Sequence, residues 1–69
     1  MTPRQCKAAR VWVGWTQYEL ARKVGVYRQK VAALESGADI EAETKVALEA
    51  ALVNAGVTIT KQGSIILSA

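Results

Sequence analysis

The feature that most constrains the fold is a pair of short helical segments separated by only three residues, Val24-Gly25-Val26. The first segment begins with Thr16-Gln17-Tyr18-Glu19, a T-x-x-E capping box in which Thr and Glu side chains satisfy free backbone N–H groups. Its apolar stripe consists of Leu20, Ala21 and Val24. Gly25 suits the turn, because glycine adopts a positive φ without a Cβ penalty. The spacing therefore predicts two helices that cross at a tight turn.

The second segment is predicted to run from Arg28 to Ser36, with Gly37 as its end. Val31 and Leu34, together with Val26, are predicted to pack on the first segment. The opposite side of the second helix is then exposed and can project outward far enough to enter a DNA major groove. Its cap position holds a tyrosine, which is a poor N-cap compared with Ser or Thr.

Two further helices flank this pair. Thr2, Pro3 and Gln5 combine an N-cap, a first-turn proline and a capping-box partner, which predicts a helix to about Val13 that Gly14 ends. Another helix is predicted from about Ala42 to Asn54, with Gly56 as its stop and an apolar stripe on one face. The members of that stripe are Leu48, Leu52 and Ala55, with Ala51 beside them.

The last residues change character. Val57-Thr58-Ile59-Thr60 alternates apolar and polar residues, Lys61-Gln62-Gly63 can turn, and Ile65-Ile66-Leu67 is apolar and rich in β-branched residues. This pattern predicts a C-terminal hairpin, or one or two strands. The expected fold class is mainly α, with four to five helices and a short C-terminal β-strand or hairpin.

Composition excludes several classes of function. The 69 residues include no histidine and a single cysteine, Cys6, so neither a Ser-His or Cys-His pair nor a zinc site is available. We therefore expect no enzyme, no cofactor and no metal, with Cys6 as a small core residue and Trp12 and Trp15 as core or dimer contacts. The chain has no apolar run long enough for a membrane span and no signal-peptide pattern, which predicts a cytoplasmic protein with no membrane partner.

Charge is divided unevenly along the chain. Through Leu34, seven basic residues and one acidic residue give a net charge of +6, whereas residues from Glu35 onward carry −3. A basic N-terminal half joined to an acidic C-terminal half is typical of a protein with a surface that faces a polyanion. The alternative is that these charges merely solvate helix faces, so charge alone does not decide between the two.

The stretch Thr16-Gln17-x-x-Leu20-Ala21-x-x-x-Gly25-Val26-x-x-x-x-Val31-x-x-Leu34-Glu35 resembles the helix-turn-helix of the Cro/C1-type, or XRE-like, regulators of phages and bacteria. The resemblance extends from about Cys6 through Gly37 and continues more weakly to Val57. The first helix and the residues that follow it resemble the same part of the family's domain. Leu34-Glu35-Ser36-Gly37 resembles the end of the family's recognition helix, which is the second helix of the motif. It implies a lambda-repressor-like DNA-binding domain.

The resemblance also assigns roles to individual positions. The start of the recognition helix reads bases, which implies contacts from Arg28, Gln29, Ala32 and Ala33. Contacts to the DNA backbone are implied for Gln17, Thr16, Tyr27, Lys30, Arg22 and Lys23. Each assignment has an alternative that involves no DNA contact. In that alternative Gln17 is a solvent-exposed residue at the start of a helix, the two alanines merely occupy positions of a helix that tolerates them, and the basic residues are solvated surface charges. Arg10 and Glu35 match a family pair that forms a structural ion pair.

Three features depart from the family pattern. Tyr27 replaces the usual small hydroxyl cap, although its ring and hydroxyl could reach the DNA backbone or a base methyl. The loop Asp39-Ile40-Glu41-Ala42-Glu43 is acidic where relatives often place basic or proline-containing segments, which predicts fewer phosphate contacts there. Lys45 occupies a commonly apolar position of the fourth helix.

The expected function is a sequence-specific double-stranded DNA-binding regulator, acting as a homodimeric autorepressor on a pseudo-palindromic operator. Residues 1–57 form the DNA-binding domain in this interpretation, and residues 58–69 form a β segment that dimerises. An apolar strand edge invites pairing with a second copy, and the dimerisation residues expected from this are Ile59, Ile65, Ile66 and Leu67. The alternative is an antitoxin-like protein-interaction module that retains the fold and binds a protein partner.

Overall fold

A computed structural model describes residues 1–60 and the backbone of the strand at residues 65–67. In chain order the elements are α1 (Pro3–Val13), α2 (Gln17–Val24), α3 (Arg28–Glu35), α4 (Ala42–Asn54), β1 (Val57–Ile59) and β2 (Ile65–Leu67). The fold is mainly α, as predicted, and the described residues contain four helices rather than five. None of these helices is long and apolar enough to cross a membrane.

Local sequence accounts for most helix boundaries. The Thr2 hydroxyl accepts a hydrogen bond from the Gln5 N–H and the Gln5 side chain accepts one from the Thr2 N–H, so the predicted capping box at α1 is present. The same reciprocal pair joins Thr16 and Glu19 at α2. Gly25 has φ +84°, the left-handed conformation that the turn requires.

The helix α3 differs from its neighbours at both ends. Tyr27 is its N-cap residue and makes no side-chain capping bond, in line with the poor cap predicted from the sequence. The helix ends at Glu35, one residue before the predicted end, and Ser36 is its C-cap. This difference of one residue is within the usual fraying of a helix terminus.

All four helices and β1 contribute to one apolar core. Its buried members are Cys6, Ala9, Leu20, Ala21, Val31, Leu34, Leu48, Leu52 and Val57. Trp15 packs against this core, but Trp12 lies outside it with 43% of its surface exposed. Of the two roles predicted for Trp12, the core role is therefore wrong, because the buried face of α1 is already filled by Cys6 and Ala9. The dimer contact stays a prediction.

The C-terminal strands form an antiparallel hairpin, with Val57 opposite Leu67 and Ile59 opposite Ile65. The turn predicted at residues 61–63 lies outside the described residues. The amide of buried Gln5 donates to the Thr60 carbonyl at 2.7 Å, which ties the end of β1 to the first turn of α1. The strand β1 is thus anchored to the helical domain by its own core contacts and by this hydrogen bond.

Candidate nucleic-acid interface

The exposed start of α3 presents three consecutive polar or aromatic side chains. Tyr27, Arg28 and Gln29 are all exposed, while Val31 and Leu34 are buried against the rest of the domain. Ala32 and Ala33, which follow one turn later, are half-buried. The structure thus brings Arg28 and Gln29 to an outward-facing position and sets the two alanines further back.

A row of hydrogen bonds connects Arg28 to the interior of the domain. Its guanidinium donates to the Gln17 Oε1 at 3.1 Å, and the Gln17 Nε2 donates to the Glu35 Oε1 at 3.1 Å. Glu35 in turn accepts two bonds from Arg10, from Nε at 2.7 Å and from Nη2 at 3.1 Å. The first residue of α3 is therefore held by a series of contacts that begins in α1.

The ion pair between Arg10 and Glu35 is nearly buried, with 12% and 5% of the two side chains exposed. Its bidentate geometry is the strongest arrangement that an arginine and a carboxylate can make. Arg10 also donates to the Trp15 carbonyl at 2.8 Å, just before α2 begins. One guanidinium therefore joins α1, the segment that leads into α2, and the end of α3.

The pair controls the ionisation of the groups around it. Burial alone would raise the pKa of Glu35, but hydrogen bonds from Arg10 and Gln17 outweigh it and hold that pKa below its ordinary value. Burial, followed by the charge of Glu35, raises the pKa of the Cys6 thiol to about 12. Cys6 donates to Glu35 at 3.8 Å as a neutral thiol, so it is a buried packing residue rather than a reactive nucleophile.

Both the NH₂ group and the oxygen of the Gln17 amide form hydrogen bonds within the protein. The sequence does not indicate these contacts. The Glu35 carboxylate accepts hydrogen bonds only, so the Gln17 NH₂ group faces it and the amide oxygen faces Arg28. Thr16, at the start of the same helix, is exposed and its hydroxyl is engaged in the capping box.

The acidic loop before α4 folds back onto the recognition helix. The Lys30 ammonium lies 2.9 Å from the Glu41 carboxylate, and 41% and 60% of the two side chains are exposed. This hydrogen bond lowers the pKa of Glu41. The sequence does not indicate this contact, because Lys30 lies eleven residues before Glu41 and no helical spacing relates the two.

The other predicted basic contacts lie on the surface of α2. Arg22 and Lys23 are exposed, and the Lys23 ammonium stands 5.3 Å from the centre of the Trp15 ring. That distance is within the range of a cation–π interaction, which keeps the charge beside the aromatic ring. Among the described residues, no group of three or more Cys, Asp or Glu side chains could hold a metal ion.

Comparison with known proteins agrees with this geometry. The chain matches a family model described as helix-turn-helix over residues 7–52, a span that begins within α1 and ends within α4. No curated protein matches the chain. The matched span includes α2, the Gly25 turn and α3, which are the parts that present Arg28 and Gln29 outward. The chain therefore belongs to the Cro/C1-type helix-turn-helix family, whose members are DNA-binding domains rather than enzymes.

Proposed function

We propose that this protein is a homodimeric, sequence-specific regulator of transcription that represses its own operon from a pseudo-palindromic operator. DNA binding follows from membership of the family. The proposed sequence specificity of that binding is supported mainly by one observation. The exposed side chain of Arg28 is held in place by hydrogen bonds that lead to a nearly buried ion pair. A pre-positioned arginine at the start of a recognition helix suits bidentate recognition of a guanine.

Base contacts are proposed for Arg28, Gln29, Ala32 and Ala33. Arg28 would pair with the O6 and N7 of guanine, and Gln29 with the N6 and N7 of adenine. The half-buried alanines present only methyl groups, so their contribution is limited to apolar contact deeper along α3. Two such helices in a dimer would enter successive major grooves, about 34 Å apart.

Contacts to the DNA backbone are proposed for Thr16, Gln17, Tyr27 and the basic residues of α2. Because both ends of the Gln17 side chain are engaged within the protein, its phosphate contact is proposed through the backbone N–H at the start of α2. Arg22 and Lys23 are exposed and need no rearrangement to neutralise phosphates. Lys30 reaches a phosphate only by exchanging the Glu41 carboxylate for it.

Binding across a salt series tests this function. Fluorescence anisotropy should measure affinity for DNA from upstream of the protein's own gene and for a scrambled duplex. If the dimer makes six phosphate contacts, its affinity should fall roughly 10³-fold between 50 and 200 mM salt. The scrambled duplex should compete poorly at every salt concentration. Equal, weak binding to both duplexes would contradict operator binding at this locus, and selection from random DNA would then show whether another sequence is preferred.

Dimerisation is proposed through the C-terminal segment, residues 58–69. The hairpin uses one edge of each strand, which leaves an outer edge that a second copy can extend into a four-stranded sheet. Ile59 packs partly against the core of its own chain, so its part in such a sheet would come from its backbone. The described side chains do not include those of Ile65, Ile66 and Leu67, whose proposed contacts stay predictions.

Removal of residues 61–69 is expected to convert a dimer into a monomer. This truncation deletes β2 but retains β1, the buried side chain of Val57 and the Gln5–Thr60 hydrogen bond, so the helical domain keeps its anchor. Light scattering of the full and shortened chains measures the mass, and circular dichroism verifies that the helices persist. A folded, shortened chain that remains dimeric would exclude pairing through this segment.

The second candidate function is an antitoxin-like module that binds a protein. The contact between Lys30 and Glu41 favours it, because it places a carboxylate beside the recognition helix. A module of this kind would bind DNA weakly and without base preference in the salt series, but would form a defined complex with its protein partner.

For either function, the protein is proposed to act in the cytoplasm, where the nucleoid is located.

A further inference from the structure

The carboxylate of Glu41 is directed toward the recognition helix α3 rather than toward the helix that it precedes. Glu41 is the N-cap residue of α4, but its side chain makes no capping hydrogen bond to that helix. Its Oε1 accepts a hydrogen bond from the Lys30 ammonium at 2.9 Å, and its Oε2 accepts one from the Thr44 hydroxyl at 3.3 Å. Both carboxylate oxygens are therefore engaged, and one of them is held against α3.

Lys30 lies on α3 directly after the exposed residues Arg28 and Gln29. Its side chain is 41% exposed and that of Glu41 is 60% exposed, so a ligand in solution can reach both charges. A phosphate oxygen and a carboxylate oxygen offer an ammonium group the same kind of charge-assisted hydrogen bond. The Glu41 carboxylate therefore occupies the position on Lys30 that a DNA phosphate would take.

The two charges of this pair also cancel. A lysine that neutralises a phosphate releases a counterion from DNA, and this release supplies most of the sequence-independent affinity. Lys30 brings no net charge to the phosphate, because the carboxylate of Glu41 remains on the adjacent segment after the exchange. Asp39 and Glu43 are exposed in the same segment and add to its negative charge. The pair therefore makes no net contribution to counterion release.

We infer that Glu41 is an internal competitor for the DNA phosphate at Lys30, and that it weakens binding to all DNA sequences alike. Glu41 thus sets the absolute affinity for DNA and its dependence on salt, whereas base preference is set elsewhere on α3. The inference rests on the DNA-binding part of the proposed function and does not require recognition of an operator.

Glu41→Gln tests this competition, because it removes the charge and keeps the length of the side chain. Lys30 then neutralises one further phosphate in each protomer. The slope of log affinity against log salt should steepen by about 0.9 per protomer, or about 1.8 for the proposed dimer. The variant should bind the operator and the scrambled duplex more tightly than the wild type at low salt. Its affinity for either should fall about tenfold more between 50 and 200 mM salt.

Glu43→Gln is the matched control. It removes the same charge from an exposed residue two positions further along the chain, in the first turn of α4. Within the part of the chain that the structure describes, the ion pair of Lys30 is made with Glu41 and not with Glu43. A gain in affinity as large from Glu43→Gln as from Glu41→Gln would show that net charge alone is responsible, which would overturn the inference.

Replacement of the lysine assigns the effect to the pair. A Lys30→Met protein has no ammonium at this position for Glu41 to occupy. Addition of Glu41→Gln to it should raise affinity no more than addition of Glu43→Gln does, and a larger gain would contradict the competition. The urea midpoints of these variants should stay close to that of the wild type, because the pair is exposed. Changes in affinity are then not changes in folding.

The pair itself is measurable in the free protein. The hydrogen bond from Lys30 holds the pKa of Glu41 below its ordinary value. In Lys30→Met, the NMR signal of the Glu41 carboxyl carbon should therefore titrate at a higher pH than in the wild type. An unchanged titration would mean that the two side chains are not paired in solution, and the competition would be wrong.

The results distinguish failure of this inference from failure of operator recognition. If Glu41→Gln binds both duplexes equally, but more tightly than the wild type and with the steeper salt dependence, the competition stands and operator recognition fails. If operator preference persists and Glu41→Gln leaves the salt dependence unchanged, the competition is wrong and operator recognition stands. If neither protein binds any duplex at low salt, both fail.

Discussion

Arg28→Ala is expected to abolish the preference of this protein for its operator while leaving its fold intact. The side chain is exposed and donates a hydrogen bond to the Gln17 oxygen at the surface, so its removal leaves no buried group unsatisfied. Loss of a bidentate contact to guanine costs about 1–3 kcal/mol, and a dimer loses one such contact in each half-site. Competition binding with operator and scrambled duplexes measures the change.

Two matched variants identify the cause of that loss. Arg28→Lys keeps the positive charge but cannot form the paired hydrogen bonds, so it should lose base preference while retaining most of the salt dependence. Arg22→Ala removes an exposed charge on α2 and should weaken binding to both duplexes equally. An Arg28→Ala protein with unchanged operator affinity and specificity would refute the assigned role.

Glu35→Ala is expected to cause the largest loss of stability of any substitution considered for this protein. It leaves Arg10 mostly buried without its carboxylate partner, and removal of one member of a buried pair typically costs about 3–5 kcal/mol. That cost is comparable to the whole stability of a small domain, which is about 5 kcal/mol at the low end. Urea denaturation followed by circular dichroism should therefore show a large fraction unfolded without denaturant.

The control for this effect is the second ion pair of the recognition helix. Glu41→Ala removes the exposed partner of Lys30 and should leave the urea midpoint nearly unchanged, because solvent replaces the lost contact. The double variant Arg10→Met with Glu35→Leu should recover much of the stability, since neither charge then remains buried. A Glu35→Ala protein as stable as the wild type would show that the pair is not structural.

The same pair predicts how stability depends on pH. The folded-state pKa of Glu35 lies below its ordinary value of 4.5, so the folded protein favours the ionised carboxylate. The contribution of Glu35 is complete above about pH 4.5, the ordinary value for an unfolded chain, and is lost as the pH falls through the lower folded-state pKa. Denaturation midpoints between pH 6 and pH 3 should fall more for the wild type than for the double variant, in which this carboxylate is absent.

Arg28 and Glu35 belong to one series of hydrogen bonds. Glu35 binds Arg10 on one side and Gln17 on the other, and Gln17 binds Arg28. The pair that stabilises the domain thus also supports the side chain proposed to read the operator. A milder change such as Glu35→Gln is expected to affect base preference as well as stability, whereas Glu41→Ala should leave base preference unchanged.

Much of the fold is predictable because its signals are local. The capping residues Thr2 and Thr16 start their helices within one turn, and the glycines that follow α1 and α2 take the left-handed conformation that ends a helix. The apolar spacing of Leu20, Val31 and Leu48 likewise indicates which face of each helix is buried. Trp12 was the exception, because an aromatic residue next to a buried face is not itself required to be buried.

The exposed start of α3 was also predictable, since Tyr27 is a poor cap and Arg28 and Gln29 lie opposite the buried face. The contacts that these residues make were not. The pairing of Lys30 with Glu41 and the hydrogen bond from Arg28 to Gln17 join residues for which no helical or strand periodicity sets a distance.

Sequence alone therefore determined where the helices begin and end, which faces are buried, and the helix-turn-helix family, since all of these depend on residues within a turn or two of one another. The tertiary structure decided how the C-terminal strands pair and how Gln17 orients its amide. It also decided which acid neutralises Lys30. Those contacts depend on the distances between packed elements, because each of them forms only when two separate segments bring their polar atoms to hydrogen-bonding distance.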